Sequence, residues 1–258
     1  MTMGAFAPDS GDPDSSNADS GDVDSSDVDS SEQGHMALPH RVVPVLVAGV
    51  VLALAGSLIA LSSLGVEDPD ESLTGAQEFS LALPWLLALG GAGLVAGGLA
   101  GRDPLSSLLL RSPGFSTIVI GVAAGLALQA VVAAVDTWIV DGIFGLDTGS
   151  SGSELVEQFV GNERILLVLL VVILGPLAEE LLYRGALHGS LAQIWPRSRV
   201  VLLVAAIFAL SHLSLPQLPG LVIVGVALSV LVAWRQSLWA AIACHVTFNL
   251  SGVVLLLS

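Results

Sequence analysis

The chain reads as an all-α, polytopic membrane protein of about seven transmembrane helices with an intramembrane active site, and three observations carry that reading. Of its 258 residues, 53% are hydrophobic and only 12% are charged. Uninterrupted apolar runs of about twenty residues, the length a helix needs to cross a bilayer, recur along it. Inside one such run, Ile165 to Leu187, sit the ionisable residues Glu179, Glu180 and Arg184. A soluble α/β domain does not fit this composition.

Residues 8–34 are rich in Asp, Ser and Gly, with a loose repeat in Gly11-Asp-Pro-Asp-Ser-Ser16 and Gly21-Asp-Val-Asp-Ser-Ser26 and no basic residue. Residues 1–38 are therefore expected to form a disordered acidic tail, and 39–258 a transmembrane helical bundle. Nine of the twenty-three acids lie in the tail, so the net charge of −15 describes the tail and loops rather than the membrane-buried part. That balance argues against a nucleic-acid partner. No basic region precedes the first apolar run, which begins near residue 42, so a cleaved signal peptide is not expected.

Apolar spans fall at roughly 42–64, 81–100, 115–140, 164–190, 200–213, 218–234 and 237–257. Arg41, Arg102, Arg111, Arg197, Arg199 and Arg235 lie in alternate connections, and Glu67, Asp68, Asp70, Glu71, Glu78, Asp141, Asp147, Glu154 and Glu157 lie in the others; Arg164 is the exception. The positive-inside rule then gives a multi-pass protein of the cell membrane with a cytoplasmic N-terminus. Small-residue spacings, Gly93-xxx-Gly97-xxx-Gly101 and Gly121-xxx-Gly125, suit close helix packing. Gln129 and Asp136 in the third span are polar groups expected to face a bundle interior or an interface, Asp136 near a wet outer end. The single cysteine, Cys244, reads as a small core residue.

The fourth span holds the strongest signal. An ionisable side chain at a helix centre in the membrane costs roughly 2.5–3.5 kcal/mol by insertion scales, so these three must face protein or a water pocket. Glu180 and Arg184 are i,i+4 with the acid first, the better order for an ion pair, while Glu179 lies about 100° around the axis and keeps its carboxylate free. Further polar residues follow in later spans: His212, then His245 and Asn249, which share a helix face. Counted from the flanking arginines at ~1.5 Å per residue, His212 lies ~20 Å in, His245 ~15 Å and Asn249 ~21 Å, and Glu179 reaches ~18–25 Å from the same side. All four share one layer of the bilayer.

A carboxylate, two imidazoles and a carboxamide in a low-dielectric pocket suit amide hydrolysis. Glu179 would take a proton from water with help from one imidazole, while the other imidazole and the carboxamide donate to the developing oxyanion. A buried structural salt bridge, or an ion relay of a transporter, competes for the glutamate pair taken alone. His188, one turn after Arg184, is read as structural, and His35 and His40 as solvated.

Glu179-Glu180-xxx-Arg184, Phe208-xxx-His212 and His245-xxx-Asn249, in this order on separate helices, resemble the three motifs of the CAAX protease and bacteriocin-processing (CPBP) family of intramembrane endopeptidases. Gly175-Pro-Leu-Ala-Glu-Glu-Leu-Leu-Tyr-Arg-Gly185 is similar to its first motif, with Tyr183 where Phe is usual, and the resemblance covers about residues 164–258. It implies Glu179 as the base that activates water, His212 as its helper, His245 and Asn249 on the oxyanion side, and Glu180 with Arg184 as a supporting ion pair. It implies a substrate that is membrane-anchored or membrane-inserted, of prenylated CAAX type or another. Zinc held by Glu179, His212 and His245 is one version of that chemistry. A metal-free glutamate mechanism uses the same residues and is preferred, since the chain has no His-Glu-x-x-His. The alternative function is a non-proteolytic membrane scaffold or immunity factor of the same family.

Overall fold

A computed structural model describes residues 39–64, 73–99, 108–110, 112–146, 153, 157 and 159–257. The expected acidic tail, Arg102, Arg111, Gly101 and most of the acidic loop residues lie outside them. The described residues fall within one unit, Gly34–Ser258.

Among the described residues, seven helices account for the fold: α1 Pro39–Leu64, α2 Gly75–Leu99, α3 Phe115–Phe144, α4 Gly161–Leu191, α5 Arg197–Ser211, α6 Leu218–Arg235 and α7 Leu238–Leu257. Six are long and apolar enough to cross a membrane, and the chain is a multi-pass membrane protein. The exception is α5, whose 15 residues rise about 22 Å against roughly 30 Å of hydrocarbon. Its C-terminus therefore ends inside the layer. Leu213, at φ 53°, turns the chain there toward α6.

Several helices begin earlier than the hydropathy suggests, because polar residues can occupy the interfacial first turn. In α2 this is a capping box: Thr74 N–H donates to Gln77 Oε1 at 2.8 Å, and Gln77 N–H donates to Thr74 Oγ1 at 3.4 Å. Along α1, Val43, Val47, Val51, Leu54 and Leu58 are exposed, a surface that suits lipid and not water.

The helix at the centre is α4, which packs against α1, α2, α5, α6 and α7; α1 also pairs with α2, α5 with α6, and α3 with α7. Missing side chains allow two of these approaches. A Cβ on Gly93 would lie 2.7 Å from the Leu181 carbonyl carbon, and one on Gly125 would lie 2.5 Å from the Cys244 carbonyl oxygen. The first sets α2 against the glutamate helix, and the second sets α3 against the turn of α7 that carries His245.

Within α4 the winding alternates. Residues Val168–Leu174 and Glu180–His188 are π-helical, with α-helical turns between and around them. Such segments are frequent at functional sites. Pro176 contributes directly, because it has no N–H to donate and so breaks the ladder on the turn before it.

Candidate active site

Glu180 and Arg184 have no solvent-exposed side-chain surface, and Arg184 Nη1 donates to Glu180 Oε1 at 2.8 Å. The expected ion pair is present. Arg184 is held on two further sides: Nη2 donates to the Gly225 carbonyl of α6 at 3.3 Å, and the guanidinium carbon lies 4.4 Å from the centroid of the Phe208 ring. Gly225 fits there because a Cβ on it would lie 2.8 Å from Ala205 Cα of α5.

Glu180 also holds a histidine, a contact that the spacing of the motifs does not announce. His245 Nδ1 lies 2.9 Å from the same Glu180 Oε1 that receives Arg184. A carboxylate already paired with a guanidinium is an acceptor, so Nδ1 carries the hydrogen. The tautomer is thereby fixed, and the bare Nε2 faces Glu179, whose Oε2 is 3.7 Å away. Glu179 is the more accessible acid, with 24% of its side-chain surface exposed. One imidazole thus spans the two glutamates, with its two nitrogens in different roles.

His212 caps α5, and its Nδ1 donates to the Phe208 carbonyl at 2.8 Å, an acceptor that again places the hydrogen on Nδ1. Its Nε2 is left as an acceptor. Phe208 is the common neighbour: its ring centroid is 4.7 Å from that of His212, 5.9 Å from His245 and 5.3 Å from Tyr183, all edge to face. Tyr183 Oη donates to Ser211 Oγ at 2.7 Å, and Ser211 Oγ donates to the Phe208 carbonyl at 2.7 Å, tying α4 to the end of α5. Sequence reasoning gave Phe208 no role of its own; its i,i+4 spacing to His212 was the available signal.

Asn249 shares the face of α7 with His245, and its Nδ2 donates to the Val171 carbonyl of α4 at 2.8 Å. That carbonyl is free for a local reason. The Gly175 N–H, its α-helical donor, goes to Leu170 instead, and the next donor along would be Pro176, which has none. Asn249 therefore fills a gap that Pro176 opens, and it fixes α7 against the glutamate helix.

Glu179, His212, His245 and Asn249 line one cavity of about 530 Å³, walled mostly by apolar side chains such as Leu170, Val224 and Phe248. Gln129 and Asp136 of α3 line it too. His188 is buried and is not part of the lining. The two bare Nε2 atoms and the Glu179 carboxylate are donors of the kind zinc takes. As placed, however, no three His, Cys, Asp or Glu side chains among the described residues surround a common point where an ion would sit.

Residues 161–251 match the family model of the type II CAAX prenyl endopeptidase, Rce1-like. No curated protein matches the chain, and no solved structure does. The matched segment contains every residue of the glutamate, histidine and asparagine constellation, and it supports an enzyme of the CAAX-protease type acting on a membrane-associated substrate. Residues 161–251, which carry the site, thus match the Rce1-like family of CAAX prenyl endopeptidases, in keeping with the resemblance to the CPBP family.

Proposed function

We propose that the protein is an intramembrane endopeptidase in which Glu179 activates water for attack on a peptide bond of a lipid-anchored or membrane-inserted substrate. The observation that carries this reading is the asymmetry of the two acids. Glu180 is consumed by Arg184 and His245 at 2.8 and 2.9 Å, whereas Glu179 faces the cavity and stands 3.7 Å from His245 Nε2. A scaffold has no need of such a carboxylate at membrane depth.

In the proposed sequence, water lies between the Glu179 carboxylate and His212 Nε2, both acceptors. Glu179 takes one proton as the water oxygen bonds to the scissile carbonyl carbon. The negative charge that forms on the carbonyl oxygen is met by donors from α7. Asn249 retains one N–H beyond the one given to Val171; His245 can donate only from Nε2, which requires the doubly protonated ring because Nδ1 is committed to Glu180. The carbon–nitrogen bond then breaks, and Glu179 returns its proton to the leaving amine. The second proton of the water passes to His212 Nε2 as the new carboxyl group ionises and leaves from there to solvent, so the products are a carboxylate and an amine. Phe208 acts as a positioning residue by holding both imidazoles and the guanidinium. No step here is routed through a metal.

The test compares wild type with Glu179→Gln, both purified in detergent, on a fluorogenic prenyl-peptide panel with and without a zinc chelator. Glu179→Gln is expected to lose at least about 10²-fold in rate, the usual contribution of a general base. Retention of wild-type activity under chelation is expected as well. Full activity in Glu179→Gln would remove the proposal, and loss on chelation that returns with added zinc would replace its mechanism with a metal-dependent one.

A further inference from the structure

The cavity has a second polar feature that the hydrolytic residues do not use. On α3, Gln129, Val132 and Asp136 follow an i, i+3, i+7 spacing and all three line the cavity that holds Glu179. Gln129 and Asp136 are about 10 Å apart along the helix axis. Gln129 Oε1 and Asp136 Oδ1 are both buried without a hydrogen-bond partner among the described residues. Two acceptor atoms, one on a group able to carry charge, are therefore held in a mostly apolar wall with no hydrogen-bond donor among the described residues.

Glycines of α6 and α7 come close to each acceptor. A Cβ on Gly220 of α6 would lie 3.4 Å from Asp136 Oδ1 and 3.0 Å from Val132 Cγ1, and one on Gly252 of α7 would lie 3.7 Å from Gln129 Oε1. A larger residue at Gly220 would crowd the carboxylate, and one at Gly252 would come into contact with the carboxamide.

We propose that Asp136 and Gln129 form a substrate-recognition subsite that takes a cationic, hydrogen-donating side chain, Lys or Arg, of the bound peptide. Buried acceptors left unpaired cost free energy, and an ammonium or guanidinium supplies both the missing donors and the opposite charge. The same carboxylate repels an acidic side chain or a free C-terminal carboxylate placed there, so the subsite selects by rejection as well as attraction. As a specificity device the subsite rests on the endopeptidase reading, but its binding chemistry does not need the bond to be cut.

Binding is therefore measured separately from cleavage, on the full-length protein in detergent. Fluorescein-labelled peptides, matched except for Lys, norleucine or Glu scanned along the sequence, are titrated by anisotropy against wild type and Asp136→Asn. At one register the Lys peptide is expected to bind wild type about tenfold or more tighter than the norleucine peptide, with Glu weakest. Asp136→Asn is expected to erase the difference between the Lys and norleucine peptides. Equal binding of Lys and norleucine peptides at every register, or no binding of any peptide, would overturn the subsite, and that comparison needs only the unaltered protein. Cleavage without charge preference would leave the endopeptidase and discard the subsite. Preferential Lys binding lost in Asp136→Asn, with no peptide cut, would keep the subsite and discard proteolysis of these substrates.

Discussion

At the scale of single residues, Glu180 serves two partners through one oxygen, and this separates stability from activity. Glu180→Ala leaves Arg184 buried without its counter-charge, at a cost of about 3–5 kcal/mol. It also removes the acceptor that fixes the His245 tautomer. Glu180→Met with Arg184→Met replaces the buried pair by apolar groups and is expected to recover most of that stability, since such exchanges are often neutral. Cleavage is expected to stay lost in the double variant, because Nδ1 of His245 still has no carboxylate to orient it. Thermal unfolding in detergent beside the peptide assay checks both halves, and a double variant that regained activity would make Glu180 structural only. The Glu180–Arg184 pair was legible because it is local, four residues along one helix. The His245 contact spans 65 positions in sequence, and nothing in the spacing of either motif reports it.

At the scale of elements, the coupling between Asn249 and Pro176 is a device for setting α7 against α4. Removing the amide in Asn249→Leu orphans the Val171 carbonyl, at a cost of about 1–3 kcal/mol. In a Pro176→Ala background an N–H becomes available to the same stretch of carbonyls, so the cost of Asn249→Leu is expected to fall by about 1 kcal/mol. A double-mutant cycle on unfolding free energy measures this, and strict additivity would mean that Pro176 has no part in freeing the carbonyl. The apolar runs made all seven helices readable, and their order and number stand. Their polar first turns were not readable from hydropathy, as Thr74 and Gln77 illustrate. Nor was the π-winding of α4, since Pro176 announces a disturbance in the ladder without saying which donor shifts. Gly125 shows the legible side: its spacing from Gly121 promised a close approach, and the approach is to the backbone beside His245. Gly125→Leu is accordingly expected to lose activity by displacing α7, although residue 125 does not line the cavity.

At the scale of the whole molecule, the site lies at a depth that charge distribution assigns to one side of the bilayer. The starts of α1 and α5 carry Arg41, Arg197 and Arg199, and the end of α6 carries Arg235. Arg235 reaches across to the first turn of α3, where Nη2 donates to Thr117 Oγ1 at 3.1 Å and to Ser116 Oγ at 3.3 Å. The start of α7 is bonded nearby, with Leu238 N–H donating to the Leu109 carbonyl at 3.0 Å. The beginnings of α3 and α7 and the end of α6 therefore share one face, which the positive-inside rule predicts to be cytoplasmic. The single cysteine makes this testable: Cys244 is buried, and Cys244→Ser supplies a thiol-free background. Ser198 and Asn162 are exposed at the starts of α5 and α4, on opposite faces in this arrangement. Asn162→Cys is expected to react with a membrane-impermeant maleimide in intact cells, and Ser198→Cys only in inverted vesicles. The reverse pattern would turn the molecule over, placing the arginine face outside and with it the side from which Glu179 was expected to lie ~18–25 Å deep. A substrate anchored in the cytoplasmic leaflet would then meet the wrong end of the bundle, so this labelling decides which leaflet's substrates belong in the cleavage panel.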